Sequence, residues 1–213
     1  EYRGHLVISK DEFGVSGFFK FNQIYFEIFS INELNSLLVE RQVDPEVSTT
    51  CGFENTEAHS GTNNYDCEGN ECAALTKILI LLPPDAQQWM ANNNYTNSVL
   101  TNIVEHLNFS FEVSDISHRA RFVYENFNWS YPESNMCSDV DQLATNSTAM
   151  QLRNNHNADL VVMLTNNNYT SGSYQGCVAE VGPLINDAYS IVALDYANAP
   201  YYVFTHEVGH LFG

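Results

Sequence analysis

His206 and His210 stand four residues apart, with Glu207 directly after the first of them, in the run Phe204-Thr205-His206-Glu207-Val208-Gly209-His210-Leu211-Phe212-Gly213. On a helix, positions i and i+4 share one face, a turn apart. Two imidazole nitrogens so placed can reach one divalent ion at about 2 Å, the usual zinc–nitrogen distance. Glu207, beside the first ligand, can reach a water on that ion without occupying the ion itself. Zinc makes such a water acidic near neutrality, and an adjacent carboxylate can take its proton as general base for attack on a carbonyl. His206 and His210 are therefore the candidate metal ligands and Glu207 the candidate catalytic residue. A structural helix with two unrelated histidines is the plain alternative. Three features favour the metal: a buried-strand pattern upstream, apolar residues at the remaining helix positions, and Gly213, which can take the positive φ of a sharp helix exit.

The elements that must position this helix begin near Lys77. Lys77–Leu82 reads as a buried strand stopped by Pro83-Pro84, and residues 85–107 as a helix with Trp89, Val99, Ile103 and Leu107 at helical spacing. The alternation of Phe109–Ile116 predicts a half-buried strand. Ser138–His156 is expected to be a helix, with Ser138 as N-cap and Asp139 and Asp141 in its first turn. Asp159–Leu164, Tyr174–Val181 and Tyr189–Leu194 read as strands, and Tyr201–Phe212 as the closing helix. Strands alternating with helices imply an α/β fold with a partly parallel sheet.

Upstream the pattern is different. Residues 1–50 are expected to be β-rich, with runs at His5–Ser9, Val15–Phe21 and Ile24–Phe29, and with Leu34–Arg41 a strand or short helix. Residues 51–75 lack periodicity, are rich in Thr, Asn, Glu and Gly, and read as a linker pinned by a local Cys67–Cys72 bridge. Residues 76–213 make a separate unit.

Eight Lys and Arg against 26 Asp and Glu give a net charge of −18. That balance repels phosphate backbones and anionic lipid, so neither nucleic acid nor membrane is an expected partner. No apolar run approaches the roughly 20 residues of a membrane-spanning helix. Five cysteines (51, 67, 72, 137 and 177) and Asn-x-Ser/Thr triplets at Asn94, Asn108, Asn128, Asn146 and Asn168 lead us to expect a secreted, extracellular protein. The acidic excess could also bind Ca2+, with Asp139, Asp141 and Glu180 as contributors. His5, His59, His106, His118 and His156 stand alone and read as surface or capped residues.

The segment His206-Glu207-x-x-His210-x-x-Gly213 resembles the metzincin signature of zinc metallopeptidases. Lys77–Leu82, Ala158–Val162, Gly176–Ala179 and Tyr189–Leu194 are similar in kind and order to its reprolysin-like branch, in particular the secreted bacterial members. The resemblance covers roughly residues 76–213. It implies a twisted, mixed five-stranded sheet with covering helices, an endopeptidase activity on protein or peptide substrates, and a Zn2+ cofactor. It also implies an antiparallel edge strand near Tyr174–Val181 whose Gly176, Cys177, Val178 and Ala179 bind substrate; an ordinary edge strand is the alternative. The family pattern continues past Gly213 with a third histidine and a methionine turn. Cys51-Gly52-Phe53-Glu54-Asn55-Thr56 is similar to the family's zymogen latch, in which a propeptide cysteine thiolate fills the open zinc position. Residues 1–50 would then be the C-terminal part of the chain's own propeptide. Pairing Cys67 with Cys72 and Cys137 with Cys177 would leave Cys51 free for that role; Cys51 in a disulfide is the alternative. A non-catalytic protein-binding module on a truncated peptidase fold is the competing functional reading.

Overall fold

The computed structural model describes residues 5–11, 14–21, 24–32, 35–41, 50–52, 74–93, 96–131, 135–166, 169, 174–184, 187–198 and 200–213. Four strands, β1 (His5–Asp11), β2 (Gly14–Phe21), β3 (Ile24–Asn32) and β4 (Asn35–Arg41), form an antiparallel meander in sequence order. The segment left open between strand and helix is a strand, because Leu37, Leu38 and Val39 pair with β3.

The second sheet has the order β5 (Thr50–Gly52), β9 (Tyr174–Val178), β10 (Tyr189–Ala193), β8 (Leu160–Thr165), β6 (Ala74–Leu82), β7 (His118–Asn126). All neighbouring pairs are parallel except β9 with β10. Five of these strands make the expected mixed sheet. The sixth, β5, comes from the presumed linker and lies outside β9, so β9 is antiparallel as expected but is not the edge.

Every residue of β8 and β10 is buried, as central strands covered on both faces require. One face carries Ile78, Ile80, Leu82, Val162, Val178 and Val192. They pack on α1 (Pro84–Asn93), α2 (Thr96–Val113) and α6 (Val203–Phe212). The other face carries Leu79, Leu81, Val161, Met163, Cys177 and Ile191 against α3 (Met136–Ala144) and α4 (Ser147–His156). A short α5 (Leu194–Ala197) precedes α6.

Three local expectations are corrected. Phe109–Ile116 is not a strand: α2 runs through to Val113. Leu100, Ile103, Val104, Leu107 and Phe111 recur at three- and four-residue intervals and are all buried, whereas Val113 is exposed, so the helical period outweighs the short alternation. The helix ends at Asp115, with φ 56°, where Ile116 N donates to Phe111 O at 2.9 Å and closes the last turn. The missed strand is β7, whose His118, Arg119, Arg121 and Glu125 give an edge strand a polar, protected rim. The single helix over Ser138–His156 is two helices, and Ser138 is not the N-cap. Asn135 Oδ1 accepts from Cys137 N at 3.0 Å and Ser138 N at 3.2 Å, and Asn146 caps α4 in the same way.

The meander docks on α2. Phe18 stacks on His106 with ring centroids 3.4 Å apart, and Asn102 Nδ2 donates to Ile28 O at 3.2 Å. His106, read as a surface or capped residue, is instead 2% exposed, with its Nε2 lacking a hydrogen-bond partner among the described residues.

Candidate active site

Helix α6 has one apolar face. Val203, Phe204, Val208 and Leu211 enter the core together with Glu207, and this fixes the rotation of the helix. His206 and His210 consequently lie on the open side, one exposed and the other half-buried. The helix is held at both ends. Tyr202, its N-cap, takes a left-handed conformation (φ 57°) that is uncommon for an aromatic residue. Its ring meets Tyr25 of β3 (5.9 Å) and His106 of α2 (4.9 Å) edge-on. Burial, and after it the nearby Tyr25 and Glu27, hold the Tyr202 hydroxyl well above its ordinary pKa. At the other end Gly182 N, in the loop after β9, donates to His210 O at 2.8 Å. Gly213 has φ 105°, the conformation for which glycine was expected there.

His206 Nε2 and His210 Nε2 are 3.1 Å apart. Two nitrogens at about 2.05 Å from a tetrahedral zinc stand roughly 3.3 Å apart, so the two rings already span a coordination edge. Burial, and then neighbouring His206, lower the pKa of His210 and favour the neutral imidazole that ligates metals. Glu207 is 1% exposed, and its Oε2 has no hydrogen-bond partner among the described residues. Burial pushes its pKa up to about 8. An orphaned buried carboxyl beside two converging imidazoles is a donor set that fits a zinc ion and its water.

Glu207 points at β9. A Cβ placed on Gly176 would lie 2.5 Å from Glu207 Cγ and 2.5 Å from its Oε1. Gly176 is paired with Val192 on one side and with Cys51 on the other. The backbone of Cys51 thus reaches the strand that meets the Glu207 carboxyl, while its side chain lies outside the described residues. Gly176, Cys177 and Val178 are strand residues of β9 and Ala179 follows them; the Cys177 and Val178 side chains are buried, and the outer backbone edge of the strand is paired with β5. The Cys137–Cys177 disulfide is present, joining α3 to β9 with Cα atoms 5.4 Å apart. The expected Cys67–Cys72 bridge and His59 lie outside the described residues; His5 opens β1, opposite Lys20 of β2, and its side chain lies outside what is described.

Other expected sites are not formed. Asp139, Asp141 and Glu180 do not make a calcium cage: among the described residues there is no group of three or more His, Cys, Asp or Glu arranged to hold a metal. Asp139 is buried in α3 and Asp141 exposed on it. Asn108 cannot carry a glycan in the fold, because it is buried and its amide bonds the backbone of Ala120 in both directions, at 2.7 and 3.1 Å. His156 contacts Glu125 at 2.7 Å, and His118 contacts Thr76 at 2.5 Å. No helix among the described residues is long and apolar enough to cross a membrane.

The fold is similar to that of metalloproteinase-II from Bacteroides fragilis, with a TM-score of 0.61 and 9% identity over 95% of this chain and 66% of that one. It is also similar to a chain in the structure of a chaperone–substrate complex, with a TM-score of 0.55 and 17% identity over 66% of this chain. This chain spans 26% of that chain's length and just under two thirds of the Bacteroides protein. No curated protein sequence matches. Residues 90–213, more than half of the chain, match the description Metallo-peptidase family M12B Reprolysin-like. On that match, and with two imidazoles 3.1 Å apart beside a buried carboxyl, the chain belongs to the reprolysin-like metallopeptidases of family M12B.

Proposed function

We propose that the chain belongs to a secreted zinc endopeptidase precursor, in which His206 and His210 ligate the metal and Glu207 is the general base. The observation that carries this reading is the 3.1 Å separation of the two imidazole nitrogens beside an orphaned, buried carboxyl. Bound zinc would supply Lewis acidity to a water and to the scissile carbonyl. The chain's own residues do the rest. The apolar face of α6 aims both rings at one point, and Glu207 accepts the proton of the attacking water. From its place beside the two ligands it would then hand that proton on to the leaving amine. The backbone of β9 offers a peptide an added-strand site.

In the precursor that site is taken. β5 runs parallel to β9, with Cys51 opposite Gly176 and Gly52 opposite Cys177. We read this as latency: residues 1–50 act as propeptide, and Cys51 is the candidate metal-capping thiolate. A substrate strand and β5 compete for one edge, so activation requires β5 to leave. Secretion is supported by the Cys137–Cys177 disulfide, a bond that persists in oxidising compartments.

The test is Glu207→Gln in the full-length, matured protein. Zinc content is expected to stay at one ion per chain while peptide hydrolysis falls by about 10²–10⁴-fold, the usual share of a general base. Full activity in that variant refutes the assignment.

A further inference from the structure

Gly176 has no backbone reason to be glycine. It is not among the residues with positive φ, and it sits inside a ladder between Cys51 and Val192. Strand interiors favour β-branched and aromatic residues, and glycine weakens them. Its neighbours on β9 and β10 follow that rule, with Val178, Ile191 and Val192 all buried.

What glycine provides here is room. A Cβ at 176 would stand 2.5 Å from Glu207 Cγ, 2.5 Å from Oε1 and 2.7 Å from Cδ. Carbon atoms in contact stand about 3.5–4.0 Å apart, so side chain and carboxyl cannot share the place. The two residues lie 31 positions apart in the chain (207 minus 176) and on different elements. A Glu side chain can change rotamer, whereas β9 is held by its ladder to β10 and by a disulfide at Cys177, both of which remain once β5 has left. When space is removed, Glu207 is therefore the group that moves.

We propose that Gly176 is a positioning residue for the hydrolytic step: the missing side chain on β9 is the seat that fixes the Glu207 carboxyl. This rests on Glu207 being the general base. The seat is specific to glycine, since even the smallest side chain fills it. It also explains why one strand can serve both substrate and base. The backbone edge of Gly176 faces a partner strand, while the direction of its absent side chain faces α6.

The experiment uses Gly176→Ala, Glu207→Gln and the double variant in the full-length, matured protein. Expected for Gly176→Ala is a kcat loss of roughly ten- to a hundredfold, in the range that a misplacement of about 1 Å causes, with KM within about twofold. Zinc content stays at one per chain, and a crystal structure of the variant shows the carboxyl displaced from β9. In the Glu207→Gln background the alanine causes no further loss, because its effect passes through the carboxyl alone. Full activity of Gly176→Ala beside an inactive Glu207→Gln overturns the seat and leaves the base standing. Full activity of Glu207→Gln removes the base itself. Equal losses in both backgrounds, loss of zinc, or failure of Gly176→Ala to fold overturn the seat, since each marks a structural role.

Discussion

Cys51 is the register partner of Gly176 across a parallel ladder, so the proposed latch enters the sheet on the residue against which Glu207 rests. Strand pairing and metal capping are then two separable parts of latency. Backbone pairing of β5 blocks the edge of β9, and the thiolate would block the metal.

Replacing Cys51 by Ala removes only the second part. The uncleaved precursor carrying Cys51→Ala is expected to show peptide hydrolysis at least about tenfold above the parent, since a thiolate is a strong zinc ligand that excludes water. It should remain below the mature enzyme, because β5 is still paired. An unchanged basal rate, measured with a quenched fluorescent peptide, would assign latency to the strand alone.

Much of this arrangement was legible in the residues, and the rest was hidden for identifiable reasons. Helix α6 could be read because its two histidines and glutamate lie within eight consecutive positions closed by Gly213. Strands β6, β8 and β10 could be read because central strands are continuous apolar runs. Strand β7 could not, since His118, Arg119, Arg121 and Glu125 dilute its pattern at an exposed edge. The error at Phe109–Ile116 has the opposite cause: a chance alternation of Phe109, Phe111 and Val113 at the end of α2 imitated a strand. Three residues of β5 carry no periodicity at all, and only their pairing with β9 reveals them. The seat at Gly176 depends on a contact between distant elements, which no local pattern announces.

His106 joins the two sheets and yields a pH prediction. Burial lowers its pKa to about 3, against 6.5 for the free residue, and its Nε2 has no hydrogen-bond partner among the described residues. The folded chain therefore keeps it neutral while the unfolded chain protonates it below about 6.5. The associated stability is fully present above pH 6.5 and is lost as pH falls from there toward 3. At roughly 1.4 kcal/mol per pH unit, the loss reaches several kcal/mol at the acid end. His106→Phe, which can keep the stack on Phe18, should show a shallower decline in urea-melt stability between pH 7 and 4. Parallel curves for the two proteins would sink this account.

The Cys137–Cys177 bond fastens β9 to α3. Its partners are 40 residues apart, and chain-entropy reasoning assigns a loop of that size about 4 kcal/mol. Cys137→Ser with Cys177→Ser is expected to lower the urea midpoint markedly and to be insensitive to reductant, whereas the parent should fall to the same midpoint once it is reduced. Because β9 also carries Gly176, the reduced protein should lose kcat as well as stability. Stability identical with and without reductant would show that the helix and strand are held by packing alone.

Ligands and base should separate under metal removal. Zinc bound only to the folded state stabilises it by about 4 kcal/mol when free metal exceeds the dissociation constant a thousandfold. Chelation of the full-length, matured protein should therefore lower its melting temperature by several degrees, and added zinc should restore it. His206→Ala and His210→Ala are each expected to abolish that response, because one donor of the 3.1 Å pair is gone. Glu207→Gln should keep the response in full, since its carboxyl lies against Gly176 and, as the proposed base, would act on the metal's water and not as a ligand. Differential scanning calorimetry of the four proteins, with and without chelator, reads all of this directly. A zinc-dependent shift that survives loss of either histidine would remove that residue from the metal site.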